Sequence, residues 1–190
     1  WGNTIALLDE NNDLLVNPYH YRDDYPEQIL EEFSKICPPY LAFERTGYVF
    51  MSIQPAVFLH HLKQKKPQLL QSVHKALMIT DCFNYALSGA TVWEKTIAAT
   101  SQLVDMRTGD WNRAYIDELG IPQGIFGELT PSGTVIGKLR PEIVQETGLG
   151  IAPRVVAVAG HDTACAAATI KADRSEDSLY LSCGTWSCMG

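Results

Sequence analysis

Between Pro153 and Ile170 the chain passes from a short β-branched apolar run, Val155–Val158, through the polar turn Gly160–His161–Asp162, into the alanine-rich stretch Thr163–Ile170. Such an apolar run bounded by turn residues reads as a strand buried on both faces, and alanine is the best helix former. A strand that leads through a tight turn into a helix commits this part of the chain to an α/β architecture. It also marks a place for function, because in open α/β sheets ligands bind at the loops on the carboxyl ends of strands.

Elements of both kinds fill the rest of the chain. Ile5–Leu8, the Asp- and Asn-rich turn Asp9–Asp13 and Leu14–Val16 read as a hairpin. Pro26–Ile36 carries Ile29, Leu30, Phe33 and Ile36 at helical spacing, with acidic residues in the first turn where the helix dipole favours them. Pro38–Pro39 breaks that pattern, Gln54–Lys66 resumes it, and Pro67 opens a further helical stretch through Leu69, Leu70, Val73 and Leu77. Thr80–Asp81 reads as the cap of a helix over Cys82–Ser88 that Gly89 stops. Asn112–Leu119 and Pro141–Thr147 read as helices ended by Gly120 and Gly148. Lys171–Asp177 is charged and without apolar periodicity, as expected of an interdomain link. Ser178–Ser182 then reads as a strand, followed by the turn Cys183–Gly184–Thr185.

Hydrophobic residues make up 46% of the 190 residues and charged residues 19%, an ordinary globular composition. The net charge of −7 repels nucleic-acid phosphates and anionic membrane surfaces, so neither is expected as a partner. Five cysteines without a Cys-x-x-Cys spacing indicate neither a disulfide framework nor a zinc site, and are expected to be reduced core residues. His60 and His61 are adjacent, so on a helix they point about 100° apart and do not grip one metal ion; no metal site is expected. Trp93 and Trp111 read as packing anchors. Tyr19, Tyr21, Tyr25, Arg22 and Asp23 either fix a loop locally or meet a ligand. No apolar run approaches a membrane span and no signal-peptide pattern opens the chain, so a cytoplasmic protein is expected. Both ends fall within structured sequence, as in a piece of a longer protein.

Two segments are suited to chemistry. Asp162 sits where a helix N-terminus stabilises an ionised carboxylate, which could take the proton of a hydroxyl as its oxygen attacks phosphorus. The same residue would also serve as a plain cap for Thr163–Ile170. Gly184 lets backbone N–H groups approach phosphate oxygens and the Thr185 hydroxyl adds a donor, although a glycine turn after a strand needs no ligand. No Gly-x-x-x-x-Gly-Lys-Ser/Thr segment occurs, which excludes a P-loop nucleotide site.

Taken together, Val156-Ala157-Val158-Ala159-Gly160-His161-Asp162-Thr163-Ala164 and Tyr180-Leu181-Ser182-Cys183-Gly184-Thr185-Trp186-Ser187 resemble the centre of an FGGY carbohydrate kinase, most closely the rhamnulokinase branch. Trp1-Gly2 with Ile5-Ala6-Leu7-Leu8-Asp9, His20-Tyr21-Arg22-Asp23, Thr100–Asp105 and Thr108-Gly109-Asp110-Trp111 are similar to further blocks of that family, in the same order. The resemblance implies Asp162 as the base, Gly2, His161 and Thr163 as sugar neighbours, and Gly184 and Thr185 as nucleotide contacts. It implies ATP with Mg²⁺ and a rhamnulose-like ketose as small-molecule partners. The fold it implies is the two-domain actin-like ATPase (ribonuclease H-like) architecture, here incomplete. Residues 1–171 would be the latter part of the N-terminal sugar-binding domain and residues 172–190 the start of the C-terminal nucleotide-binding domain. The family's N-terminal phosphate loop would precede residue 1, so the chain alone would be inactive.

Two positions depart from the branch. Rhamnulokinases usually read Trp-Gly-Val-Asp where this chain has Trp1-Gly2-Asn3-Thr4, and continue Tyr-Arg-Asp with Ser-Arg-Thr where it has Asp24-Tyr25-Pro26. A lost carboxylate removes a strong acceptor for sugar hydroxyls. A kinase for another ketose or polyol, or a non-catalytic sugar-binding relative, therefore stands as the alternative.

Overall fold

The computed structural model describes residues 2–20, 23, 25–171, 177–184 and 187–190, with side chains from residue 29 onward in the first helix. Strand β1 (Ile5–Leu8) leads to helices α1 (Tyr25–Ile36), α2 (Pro39–Thr46), α3 (Pro55–Lys65) and α4 (Pro67–Gln71). Then follow β2 (Lys75–Met78), α5 (Ile79–Ser88), β3 (Trp93–Glu94), α6 (Lys95–Ala99), β4 (Val104–Asp105), β5 (Asp110–Trp111) and α7 (Arg113–Glu118). A 3-10 turn at Gln123–Ile125 precedes β6 (Leu129–Thr130), β7 (Thr134–Lys138), α8 (Pro141–Thr147), β8 (Arg154–Ala157) and α9 (Asp162–Ala167). Strands β9 (Leu181–Cys183) and β10 (Ser187–Met189) come last. Among the described residues no helix is long and apolar enough to cross a membrane.

The core lies between the β1–β2 pair and the helices from α1 to α7. Strand β1 is buried along its whole length and runs antiparallel to β2, with Ile5 opposite Met78 and Ala6 opposite Leu77. Phe33 of α1, Leu59 and Leu62 of α3, and Ile116 of α7 are buried in the same hydrophobic core. Trp93 stands edge-on to Trp111, ring centroids 5.0 Å apart, and Phe126 lies 5.6 Å from Trp93. Each indole N–H of the tryptophans finds a backbone acceptor, Ala76 for Trp93 and Gly127 for Trp111, so these large rings are buried without stranding a donor.

Several local expectations hold. Helices α4 and α8 start with proline in their first turn, where its missing N–H costs nothing; α3 does so too, and so does α2, a helix not expected after the break at Pro38–Pro39. Gly89 and Gly148 end α5 and α8 in the left-handed conformation that favours glycine. Asn112 caps α7 by accepting the Tyr115 N–H at 3.0 Å.

Other expectations are corrected. Leu14–Val16 does not pair as a strand with β1; a single bridge joins Leu14 to Leu8, and β2 takes the place along β1 instead. Lys75–Met78, expected as helix, is that strand. Its apolar run satisfies a buried strand as well as a helix face, and the open edge of β1 decides for the strand. Helix α5 begins at Ile79 after Met78, so Asp81 lies inside its first turn rather than at its cap. Strand β8 is not buried on both faces, for it pairs with β7 and leaves Val156 39% exposed. Of the cysteines, Cys37 is buried, Cys82 and Cys188 are half-buried, and Cys165 and Cys183 are exposed; all five are free thiols. Most of the expected link Lys171–Asp177 lies outside the described residues.

Candidate active site

Strand β8 delivers the chain to the turn that was singled out in the sequence. Ala157, its last residue, is fully buried and its carbonyl accepts the Gly133 N–H at 2.7 Å. Two residues later the Ala159 carbonyl accepts the Cys165 thiol at 3.0 Å, tying α9 back to the loop that precedes it. Helix α9 starts at Asp162, one residue earlier than the sequence suggests, with His161 at the capping position and no side-chain cap bond.

That start changes the reading of Asp162. A capping side chain accepts from the second or third helical N–H. Here Oδ1 of Asp162, at the first helical position, accepts the second helical N–H, that of Thr163, at 2.7 Å, with the Thr163 hydroxyl 3.4 Å away. The side chain thus meets one free amide of the helix start while the rest of the carboxylate faces solvent. The Asp162 side chain is 99% exposed, and His161 Nδ1 stands 3.7 Å from Oδ1. A solvent-facing carboxylate, an imidazole and a hydroxyl thus occupy three consecutive positions at the start of α9.

Gly160 is held where only glycine fits. A Cβ there would lie 2.9 Å from both Ile97 Cγ2 and Thr80 Oγ1, closer than real Cβ contacts come. Gly2 packs against the same side chain, since a Cβ on it would meet Ile97 Cδ1 at 3.3 Å. Ile97 of α6 is therefore the wedge that brings Gly2 and the Gly160 turn to one place, although 158 residues separate Gly2 from Gly160 in sequence.

Behind this turn lies a pair of buried carboxyl groups: Glu94, which sequence reasoning missed, and Asp81, which it read only as a cap. Glu94 is fully buried and caps α6, accepting the Thr96 N–H at 3.0 Å and the Ile97 N–H at 3.2 Å. It also accepts the hydroxyls of Thr96 and Ser132, and the Gly160 N–H at 2.9 Å. Burial alone would raise its pKa. The bonds from Gly160, Ser132 and Thr96 outweigh burial and hold the carboxyl below its ordinary value, so it is ionised. Asp81 of α5 is also fully buried and accepts the backbone N–H of Glu94 at 3.2 Å. Burial pushes its pKa up to about 7, against the lowering effect of the bonds from Glu94 N–H and Asn84. The segment Trp93-Glu94-Lys95-Thr96 carried a local cap signal, an acidic residue just before a helix, but nothing local names Ser132 or Gly160 as its partners.

The other residues considered in the sequence fall as follows. Gly184 is exposed, beyond the end of β9, which lies against α9; Thr185 lies outside the described residues, as do Trp1, Tyr21 and Arg22. Asp23 accepts the His20 N–H at 2.9 Å, a local loop contact. Tyr19 packs on Phe58 and receives a hydrogen bond from Lys66. His60 is buried with Nδ1 3.0 Å from the Leu119 carbonyl and its ring edge-on to Phe33, a core role.

A family model described as the FGGY family of carbohydrate kinases, N-terminal domain, matches residues 1–169. The rhamnulokinase of Oceanobacillus iheyensis is 38% identical over 191 residues, covering all of this chain and 40% of the relative. That of Bacteroides thetaiotaomicron is 37% identical, covering all of this chain and 39% of the relative. The chain thus spans about 40% of the length of the curated relatives it matches. Among solved structures, a carbohydrate kinase from Novosphingobium aromaticivorans superposes with a TM-score of 0.82 at 26% identity, over 99% of this chain and 41% of that one. A ligand-bound xylulose kinase from Lactobacillus acidophilus gives a TM-score of 0.76 at 21% identity, over 83% of this chain and 32% of that one. The fold is accordingly α/β and part of the actin-like ATPase architecture that such kinases share.

Proposed function

The chain belongs to the FGGY family of carbohydrate kinases, and from that premise we propose that it supplies the sugar-binding face of an ATP-dependent kinase acting on a rhamnulose-like ketose. Residues 1–171 form the latter part of the N-terminal sugar-binding domain and residues 172–190 begin the C-terminal nucleotide-binding domain. The observation that carries the reading is the Asp162 carboxylate: it is exposed, stands at the first position of α9, and is set on a turn whose backbone is tied to buried groups.

In the reaction, Asp162 accepts the proton of a sugar hydroxyl while the hydroxyl oxygen forms a bond to the γ-phosphorus of ATP. The bond between that phosphorus and its bridging oxygen breaks, and ADP leaves. His161 and Thr163 flank the base and orient the sugar, and Gly2 lets the sugar approach the backbone beside Ile97. Gly184 and Thr185 meet the nucleotide. Mg²⁺ bound with ATP would neutralise the charge on its phosphates.

The test is Asp162→Asn in the full-length protein, with sugar-dependent ADP release as the readout. A general base contributes roughly 100- to 10,000-fold, so kcat falls by that order; a variant with near wild-type turnover sinks the reading. A second reading, another ketose or polyol as substrate, is favoured by Thr4. At the position where rhamnulokinases carry an acidic side chain, Thr4 is buried, and its Oγ1 has no hydrogen-bond partner among the described residues. A screen of the full-length enzyme against ketoses and polyols separates the two by which sugar gives the highest kcat/KM.

A further inference from the structure

We propose that Glu94 is a positioning residue for phosphoryl transfer, acting on Asp162 through the backbone of the Gly160–His161 turn. The proposal rests on the reading of Asp162 as base. Capping α6 engages Glu94 with the N–H groups of Thr96 and Ile97. Its further bond to the Gly160 N–H, at 2.9 Å, reaches 66 residues along the chain to a point two residues before Asp162. The next amide, that of His161, donates to the Thr96 hydroxyl at 3.4 Å, and that hydroxyl itself donates to Glu94. Both amides that lead into Asp162 therefore end on one carboxylate–hydroxyl pair.

Three features make this tie the main constraint on where Asp162 points. The capping residue of α9, His161, makes no side-chain cap bond, so the first turn of α9 follows the loop that precedes it. Gly160 fits against Ile97 and Thr80 with no room for a Cβ, so the loop is pressed on α6 as well as bonded to it. Glu94 is itself immobilised, because Asp81 accepts its backbone N–H and Ser132 donates to its side chain. The Asp162 side chain makes no comparable long-range bond; its contacts run to Thr163 and His161. A misplacement of about 1 Å at a reacting group costs on the order of 100-fold in rate, and this network is what prevents it.

The experiment uses the full-length enzyme and compares Glu94→Gln with Leu59→Val, a buried core change in α3 that also lowers the melting temperature. Glutamine keeps the size but replaces one acceptor oxygen with a donor, so it cannot take all five donors. We expect Glu94→Gln to lower kcat about 10- to 100-fold with KM for ATP changed less than about threefold, while Leu59→Val keeps its kcat. Hydrogen exchange at the Gly160 and His161 amides should quicken at least about tenfold in Glu94→Gln, with the amides of β1 and β2 unchanged. Should Glu94→Gln fail to fold, Thr96→Val must lower kcat and Thr96→Ser restore it. Unchanged exchange at Gly160, or a kcat no lower than that of Leu59→Val, overturns the proposal while leaving Asp162 as base. An active Asp162→Asn overturns both.

Discussion

Residues 5–126 bury Trp93, Tyr115, Phe33 and a set of leucines and isoleucines around β1 and β2, whereas from Pro131 onward Ala157 is the one fully buried hydrophobic side chain among the described residues. The candidate base lies in the second, thinly packed region. Its order is borrowed from the first: Glu94 holds the Gly160 amide, Ile97 and Thr80 press on the Gly160 backbone, and Arg140 donates to the Tyr85 carbonyl at 3.1 Å while stacking over the Tyr85 ring. Packing and the candidate chemistry thus fall on different stretches of the chain, and a few polar bonds join them. This division suits the proposed phosphoryl transfer, in which the turn must face solvent to receive sugar and nucleotide.

The sharpest way to break the comparison is to damage the packed region alone. Trp93→Ala removes a fully buried indole and its bond to the Ala76 carbonyl, and should cost about 3–5 kcal/mol in denaturant unfolding. If it costs as little as a surface change, the core has been misplaced.

A second effect is readable in pH. Asp81 has a folded pKa of about 7, above its ordinary value of 3.8. Between those values the folded state keeps a proton that the unfolded state releases, so this group's contribution is complete below pH 3.8 and is lost as pH rises toward 7. The slope is at most about 1.4 kcal/mol per pH unit. Asp81→Asn cannot titrate and should flatten the stability profile across that window; an unchanged slope would show that Asp81 is ionised when folded. Glu94 acts in the opposite sense. Its pKa is lowered, so its stabilisation is present above the ordinary carboxylate range and is lost in acid.

The smallest expected effect lies at the seam between the two regions. Gly160→Ala places a methyl 2.9 Å from Ile97 and Thr80, which should cost about 1–3 kcal/mol by overpacking. Removing the Cγ2 methyl of the wedge in the double variant Gly160→Ala with Ile97→Ala should make the two costs less than additive. Additive costs in the two variants would mean that the turn does not rest on α6.

Much of the local structure was legible because its causes are local. Proline at 141 and glycine at 148 bound α8, and Asn112 caps α7, whereas α3 is buried at every residue from Pro55 to His60 and not on the one face that its sequence pattern suggests. The run Lys75–Met78 was not legible. Four residues give too short a window to separate strand from helix, and the deciding fact is the unpaired edge of β1 some 70 residues earlier. The candidate site divides in the same way. Asp162, His161, Thr163 and Gly160 are contiguous and could be read directly. Glu94 could be suspected as a cap, yet its bonds to Ser132 and Gly160 span 38 and 66 residues, beyond the reach of any local pattern.

By itself, then, the sequence determined the α/β class, the family and the turn that carries Asp162, since each is written in contiguous residues. Only the tertiary structure decided that α9 starts at Asp162 itself, that Gly2 and Gly160 share one side chain, and that a buried glutamate ties the turn in place. Those outcomes depend on which distant donors and acceptors meet when the chain packs, because a buried carboxylate must find its partners wherever the fold brings them.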